Sequence, residues 1–184
     1  GGSIDSPMTP GEFAMGAGSK FYARAIDTDK AGLAEVLTAA HGHKGAAMVE
    51  IYQNCIVFND DVFADFTDRA TAKDTQLKLT HGEPMVYGAE QDKGLAFDLK
   101  TMSLKVVDAV KNADEVLVHD ETNKVIAQLL IGMARPEFPV ALGVIYRQPG
   151  DSFDKSYYEN HVTGMKRTAS IKDKLRNTTT WTVE

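Results

Sequence analysis

The hydrophobic positions of the chain fall into short alternating or helically spaced blocks, and their order predicts an α/β fold. Residues 1–11 carry Pro7 and Pro10 among turn formers and read as loop. Glu12 to Gly18 (EFAMGAG) predicts a short helix of small residues that runs out at glycine. Lys20 to Ile26 (KFYARAI) alternates as a strand does. Asp27-Thr28-Asp29 offers capping side chains, and Leu33, Val36, Leu37 and Ala40 then recur at helical spacing until Gly42 or Gly45. Ala46 to Tyr52 (AAMVEIY) is a short apolar run of the kind that forms buried strands. Strand, helix and strand in this order make a βαβ unit, normally parallel and right-handed.

The pattern beyond Asn59 is less regular. It predicts a helix within Phe63 to Leu79, a turn at Gly82-Glu-Pro84, and two short strands in Leu95 to Val110 around Lys100-Thr101. Val116 to His119 (VLVH) leads through a polar segment into a helix carrying Val125, Ile126, Leu129, Leu130 and Met133. Pro136 and Pro139 end that helix, and Val140 to Tyr146 reads as a last strand. The remainder is polar, with one helix expected near Lys155 to Leu175 and Trp181 close to the end. The fold class expected is α/β, a mostly parallel sheet flanked by helices with an irregular C-terminal arm. Residues 1–110 are expected to form the main domain and 111–184 an extension packed on it or on a partner.

Composition narrows the functional classes. With 184 residues, 43% hydrophobic and 25% charged, the chain can bury one sizeable core. No run approaches the roughly 18 apolar residues of a membrane span. The net charge of −6, spread along the chain, argues against nucleic acid or an anionic membrane as partner. One cysteine excludes an internal disulfide and fits a reducing cytoplasmic setting. The start, Gly-Gly-Ser without an initiator methionine, suits a tag remnant or a piece of a longer protein.

That cysteine, Cys55, sits in "EIYQNCIVFND", where the chain leaves a strand at its carboxyl end. In open α/β sheets this is the edge at which ligands bind. Three readings stand side by side: apolar filler, nucleophile, or metal thiolate. Asn54 and Asn59 are candidate amide donors to an anionic sulfur, and Ile56, Val57 and Phe58 candidate excluders of water. His41 and His43 lie two apart at a helix end, point about 200° from each other and read as helix C-terminal histidines rather than metal ligands. His119-Asp120-Glu121 reads as a turn with helix-capping acids, and His81 and His161 as exposed. No phosphate loop, dinucleotide fingerprint, serine elbow or C-x-x-C is present.

At "VEIYQNCIVFND" the chain resembles the β subunit of 2-oxoacid:ferredoxin oxidoreductases, especially the 2-oxoglutarate type. "GSIDSPMTP" and "AMGAGSKFYARAID" resemble the family's stretch after the cofactor loop, and "HGHKGAAMVEIYQNCIVFND" its central block. "HGEPMVYG", "DKGLAFD", "VLVHDE", "VALGVIYR" and "TWTVE" follow in the family's order. The resemblance implies the second half of a thiamine-diphosphate-binding domain. It implies oxidative decarboxylation of a 2-oxo acid to an acyl-coenzyme A and CO₂, with electrons passed through a [4Fe-4S] cluster to ferredoxin. It also implies an α subunit as partner.

On this resemblance Cys55 is one [4Fe-4S] ligand, and Ser3 and Asp5 belong to a loop near the thiamine site. The family's main motifs for thiamine diphosphate and Mg²⁺, and its other cluster cysteines, match nothing in this chain. The chain alone is therefore expected to be inactive, as a fragment would be. A non-catalytic α/β interaction domain that lost the cofactor motifs is the alternative, and a cysteine-nucleophile enzyme a weaker one.

Overall fold

A computed structural model describes residues 4–163, 170–176 and 181. The chain divides into two compact units, residues 1–150 and 151–184. The first contains α1 (Pro10–Gly16), β1 (Phe21–Ile26), α2 (Lys30–Gly42) and β2 (Met48–Tyr52). Two single-turn helices, α3 (Ala64–Thr67) and α4 (Ala72–Thr75), lead into β3 (Gln76–Lys78). After them come β4 (Val86–Tyr87), β5 (Lys93–Asp98), β6 (Ser103–Asp108), α5 (Lys124–Ile131) and β7 (Val140–Arg147). The division falls at Gly150 rather than near residue 110, because β7 supplies an inner strand of the main sheet.

That sheet has the order β2-β1-β7-β3. The pairs β1–β2 and β3–β7 are parallel, and β1–β7 is antiparallel. Two of its three pairings are thus parallel, with α2 packed on β1 and β2 and α5 on β7. The α/β class expected from the sequence holds. A second, three-stranded antiparallel sheet, β4-β5-β6, turns around Leu99–Met102, as the two-strand reading of Leu95 to Val110 anticipated. The helix expected within Phe63 to Leu79 is instead two single turns and a strand. The segment Val116 to His119 does not complete a strand: it makes one bridge, Val118 to Pro84, with neighbouring backbone bonds to Met85 and Leu95.

Strand β1 is buried along its whole length, so its alternation does not divide water from core. It divides two cores. Phe21, Ala23 and Ala25 pack beneath α2 with Val36, while Tyr22 joins Met15, Leu130, Ile131 and Ile145 in the larger cluster. Arg24 enters this interior because its register partner across the parallel pair is Glu50. Arg24 Nε lies 2.6 Å from Glu50 Oε2, and Arg24 Nη2 donates to the carbonyl of Ile131 at 3.3 Å, at the C-terminal end of α5. The Tyr22 hydroxyl donates to the same Glu50 carboxylate. Burial opposes the Arg24 charge, but the neighbouring Tyr22, Tyr52 and Glu50 outweigh it and hold the guanidinium protonated. The Tyr22 phenol is pushed well above its usual range, chiefly by burial.

The same network explains Gly11 in α1. A Cβ there would lie 2.6 Å from the Tyr22 hydroxyl and 2.8 Å from Ile131 Cγ2, so glycine lets α1 approach β1 and α5. At Gly143 the backbone takes φ 110° beside a β1–β7 register shift, and an added Cβ would meet Leu79 O at 2.8 Å. Strand β2, read as buried, is instead an edge strand of intermediate exposure with Ile51 facing out.

The second unit contains α6 (Phe153–Tyr157), a π-helical turn (Tyr158–Val162) and α7 (Ile171–Arg176). The one helix expected near Lys155 to Leu175 is instead these three short elements among the described residues, and part of that span lies outside them. Ser152 caps α6 by accepting from Lys155 N. No described residue of this unit is buried.

Removing one partner of the buried pair leaves an uncompensated charge. Glu50→Ala is expected to lower unfolding stability by about 3–5 kcal/mol in urea denaturation. A loss below about 1 kcal/mol would show that the pair is not the tie described.

Candidate functional site

Cys55 lies just beyond the carboxyl end of β2, in the loop that closes the quoted motif. Tyr52 anchors the approach: its ring packs edge-on against Phe63 at 5.1 Å and Phe66 at 5.2 Å. Phe66 is buried with Ile26, Val140 and Leu142 at the same end of the sheet. Arg135 lies over the Phe66 ring and pairs with Asp65, so the segment after the loop is pinned from outside as well.

The loop turns tightly. Asn59 N donates to Cys55 O at 3.0 Å, and Cys55 and Asn59 form an isolated antiparallel bridge. The thiol is exposed, and its pKa is held below the ordinary 9.0. The largest cause is the backbone N–H of Phe58, then that of Val57, with Asn59 contributing less; nearby Asp60 acts the other way. Main-chain N–H groups near a sulfur favour the thiolate, the form that binds metal.

Two details differ from the sequence expectation. The Asn54 amide does not serve the sulfur: its Nδ2 donates to Asp60 Oδ1 at 2.8 Å and its Oδ1 accepts from Asp61 N at 3.0 Å. The donors are main-chain groups, which periodicity and residue type do not reveal. Ile56, Val57 and Phe58 do not shield the thiol within this chain, for each is more than 75% exposed. They form an apolar patch on the cysteine turn. A small cleft of about 190 Å³ lies beside the loop, lined by Asp27, Thr28, Tyr52, Asn54 and Asp61 among others. It opens at the carboxyl ends of β1 and β2, the edge at which α/β sheets bind ligands.

The other candidates disperse. Asp5 lies on an exposed bend ahead of α1, and Ser3 lies outside the described residues. Among the described residues no group of three His, Cys, Asp or Glu side chains is placed to hold a metal ion. His41 is exposed in the last turn of α2, whereas the His43 ring lies against Phe21 at 5.2 Å. His81 and His161 are exposed, as read from the sequence. A separate cleft of about 490 Å³ between α2, β3 and β7 carries the ion pairs Lys78–Asp29 and Arg147–Glu121 on its lining and does not include the cysteine loop.

His119-Asp120-Glu121 resolves into three unrelated roles. His119 is buried, with Nε2 2.8 Å from Val144 O and Nδ1 enclosed without a partner. Since Val144 O can only accept, Nε2 carries a proton, and burial favours the neutral ring. Asp120 accepts from Thr122, and Glu121 pairs with Arg147 at 2.5 Å. The cap of α5 is Asn123, which accepts from Val125 N and Ile126 N, rather than either acid.

No protein-family model matches the chain. It is 41% identical over 125 residues to the 2-oxoglutarate oxidoreductase subunit KorB of Mycobacterium tuberculosis, a match covering 65% of this chain and 31% of that protein. It is 31% identical over 94 residues to the β subunit of 2-oxoacid:ferredoxin oxidoreductase 1 of Aeropyrum pernix, covering 50% of this chain and 28% of that one. Its fold matches a solved 2-oxoglutarate:ferredoxin oxidoreductase of Magnetococcus marinus at TM-score 0.60 and 17% identity, over 95% of this chain and 45% of that one. The chain is thus homologous, over the matched residues, to β subunits of the 2-oxoacid:ferredoxin oxidoreductases, as its motifs indicated. It spans under a third of the length of these relatives.

Two measurements follow from this geometry. The pH profile of Cys55 alkylation is expected to reach its midpoint below 9.0, and a midpoint at or above that value would contradict the backbone cradle. Burial, the main cause, holds the His119 pKa below the ordinary 6.5, so its linkage has a fixed sign. Well above 6.5 the ring is neutral in both the folded and the unfolded state, and pH has no effect through it. As pH falls below 6.5 the unfolded state takes up the proton first, and stability declines until the folded pKa is passed. Urea unfolding of wild type and His119→Gln between pH 7.5 and pH 5 (roughly the window of imidazole titration) is expected to show a steeper loss in wild type; equal slopes would contradict it.

Proposed function

We propose that this chain is the carboxyl-terminal portion of a β subunit of a 2-oxoacid:ferredoxin oxidoreductase. The reaction is oxidative decarboxylation of a 2-oxo acid, with 2-oxoglutarate preferred on overall likeness, to an acyl-coenzyme A and CO₂. An α subunit completes the enzyme, ferredoxin accepts the electrons, and the setting is cytoplasmic. The observation that carries the reading is an exposed cysteine just beyond a strand's carboxyl end, inside the motif that resembles the family's cluster block.

This arrangement fits one ligand of a [4Fe-4S] cluster. Cys55 supplies the thiolate, and the N–H groups of Val57, Phe58 and Asn59 withdraw charge from the sulfur, which raises a cluster's potential. The apolar patch of Ile56, Val57 and Phe58 supplies a water-excluding wall once the rest of the subunit covers it. The remaining ligands belong to the two thirds of the relatives that this chain does not span.

For thiamine diphosphate and Mg²⁺ the described residues provide no comparable set. Asp5 and Ser3 stand as peripheral members of the loop beside that site, and the chain by itself binds neither group. When bound, thiamine diphosphate supplies the nucleophilic carbon and electron sink for decarboxylation. The protein's part is placement, water exclusion and tuning of the relay.

The test is a chimera in which this chain replaces the matching segment of the mycobacterial relative, with and without Cys55→Ser, assembled with its partner subunit. The parent is expected to show iron–sulfur absorbance and a reduced-state EPR signal, and Cys55→Ser to lose both along with turnover. Intact iron with lost turnover would point to a nucleophile instead.

A further inference from the structure

The main sheet ends in two edges that are built differently. Strand β3, at one end, has three residues, carries Lys78 and lies against β4. A short, charged and covered edge is protected against further pairing. Strand β2, at the other end, runs through five residues, Met48–Tyr52, without proline, lysine or arginine. Its one charged side chain, Glu50, turns inward to Arg24 and guards nothing. Helices α1 and α2 touch this strand, yet among the described residues no strand but β1 pairs with it.

Register fixes which backbone groups the open edge presents. Tyr52 O accepts from Asp27 N at 3.1 Å, in the parallel register that sets Ile26 beside Tyr52. Tyr52 therefore turns its N–H and C=O toward β1, and by the two-residue period of a strand Glu50 and Met48 do the same. Val49 and Ile51 turn theirs the other way, to the edge. The Ile51 side chain is exposed, and so are Ile56, Val57 and Phe58 in the loop beyond the strand's carboxyl end. Main-chain donors and acceptors in a row, with apolar side chains beside and beyond them, form a template for another strand.

We infer that the open edge of β2 is the docking site for a β-strand from the part of the subunit that this chain does not span. The strand pairs through the main chain of Val49 and Ile51 and sets apolar side chains beside Ile51. The inference rests on the reading of this chain as part of a β subunit, and it names the edge at which the rest joins. The matched relatives have the length required, since the matches cover 31% and 28% of two of them. A second copy of this chain is a poorer occupant. Antiparallel self-pairing centred on the strand sets two Glu50 carboxylates directly opposite each other. A strand from the rest of the subunit turns β2 into an inner strand, so the Cys55 loop leaves from within the sheet rather than from its rim.

The experiment is residue-resolved hydrogen–deuterium exchange of this chain alone and of the chimera with the mycobacterial relative. In the chain alone the Val49 and Ile51 amides are expected to exchange quickly and those of Glu50 and Tyr52 slowly, at any protein concentration. In the chimera the Val49 and Ile51 amides are expected to slow by about a hundredfold or more. Unchanged exchange at these two amides overturns the inference. Protection that rises with the concentration of the chain alone overturns it too, by making a second copy the occupant. Where the chimera does not assemble, the same two strand positions are read in the full-length mycobacterial subunit, and fast exchange there is equally fatal. Ile51→Pro removes an outward N–H and no bond to β1, so the chain alone is expected to keep its urea midpoint. The chimera is expected to lose assembly with Ile51→Pro and keep it with Ile51→Val; equal assembly of the two contradicts the docking edge. Iron and turnover separate this inference from the reading it rests on. Protected amides in a chimera without iron keep the docking edge and remove the enzymatic role, and iron with unprotected amides does the reverse.

Discussion

The buried pair of Arg24 and Glu50 is the constraint around which the first unit is assembled. A guanidinium taken out of water must find a carboxylate and further acceptors, or the desolvation cost exceeds what the fold can offset. Here it finds Glu50 on the neighbouring strand, the Tyr22 hydroxyl two residues back, and the last turn of α5. A one-residue slip of β2 against β1 would turn Glu50 to the other face of the sheet. The pair thus fixes register, and with it the point at which β2 ends and the Cys55 loop begins.

From that point the chemistry is local. Tyr52 closes β2 against Phe63 and Phe66, so the base of the loop rests on the core while its tip projects. The tip exposes a free thiol beside an uninterrupted apolar triplet, Ile56 to Phe58. An exposed patch of this kind marks contact with something else. It agrees with a chain that spans only part of its relatives' length.

Legibility differed from element to element for physical reasons. The βαβ unit was readable because its signals are short-range: capping by Asp29, helical spacing through Val36, and apolar runs on either side. The hairpin of β5 and β6 was readable for the same reason. Segment 63–79 was not, because its aromatic residues serve the packing of Tyr52 rather than one continuous helical face. The antiparallel insertion of β7 between β1 and β3 was also invisible, since strand direction and order depend on connections across the whole unit. Histidine 119 read as part of a polar turn, yet it is buried, because Val144 of β7 lies within reach of Nε2.

At Cys55 the division is clearest. By itself the sequence determined that a lone cysteine follows a strand, that amides and acids surround it, and that the motif resembles a cluster block. Only the tertiary structure decided which groups face the sulfur. Main-chain N–H groups have no residue-type signature, and their direction depends on how the turn is closed. The same holds for Asn54, whose type suggested a donor to sulfur but whose bonds run across the loop to Asp60 and Asp61. Composition states which donors exist; only the fold states where they point.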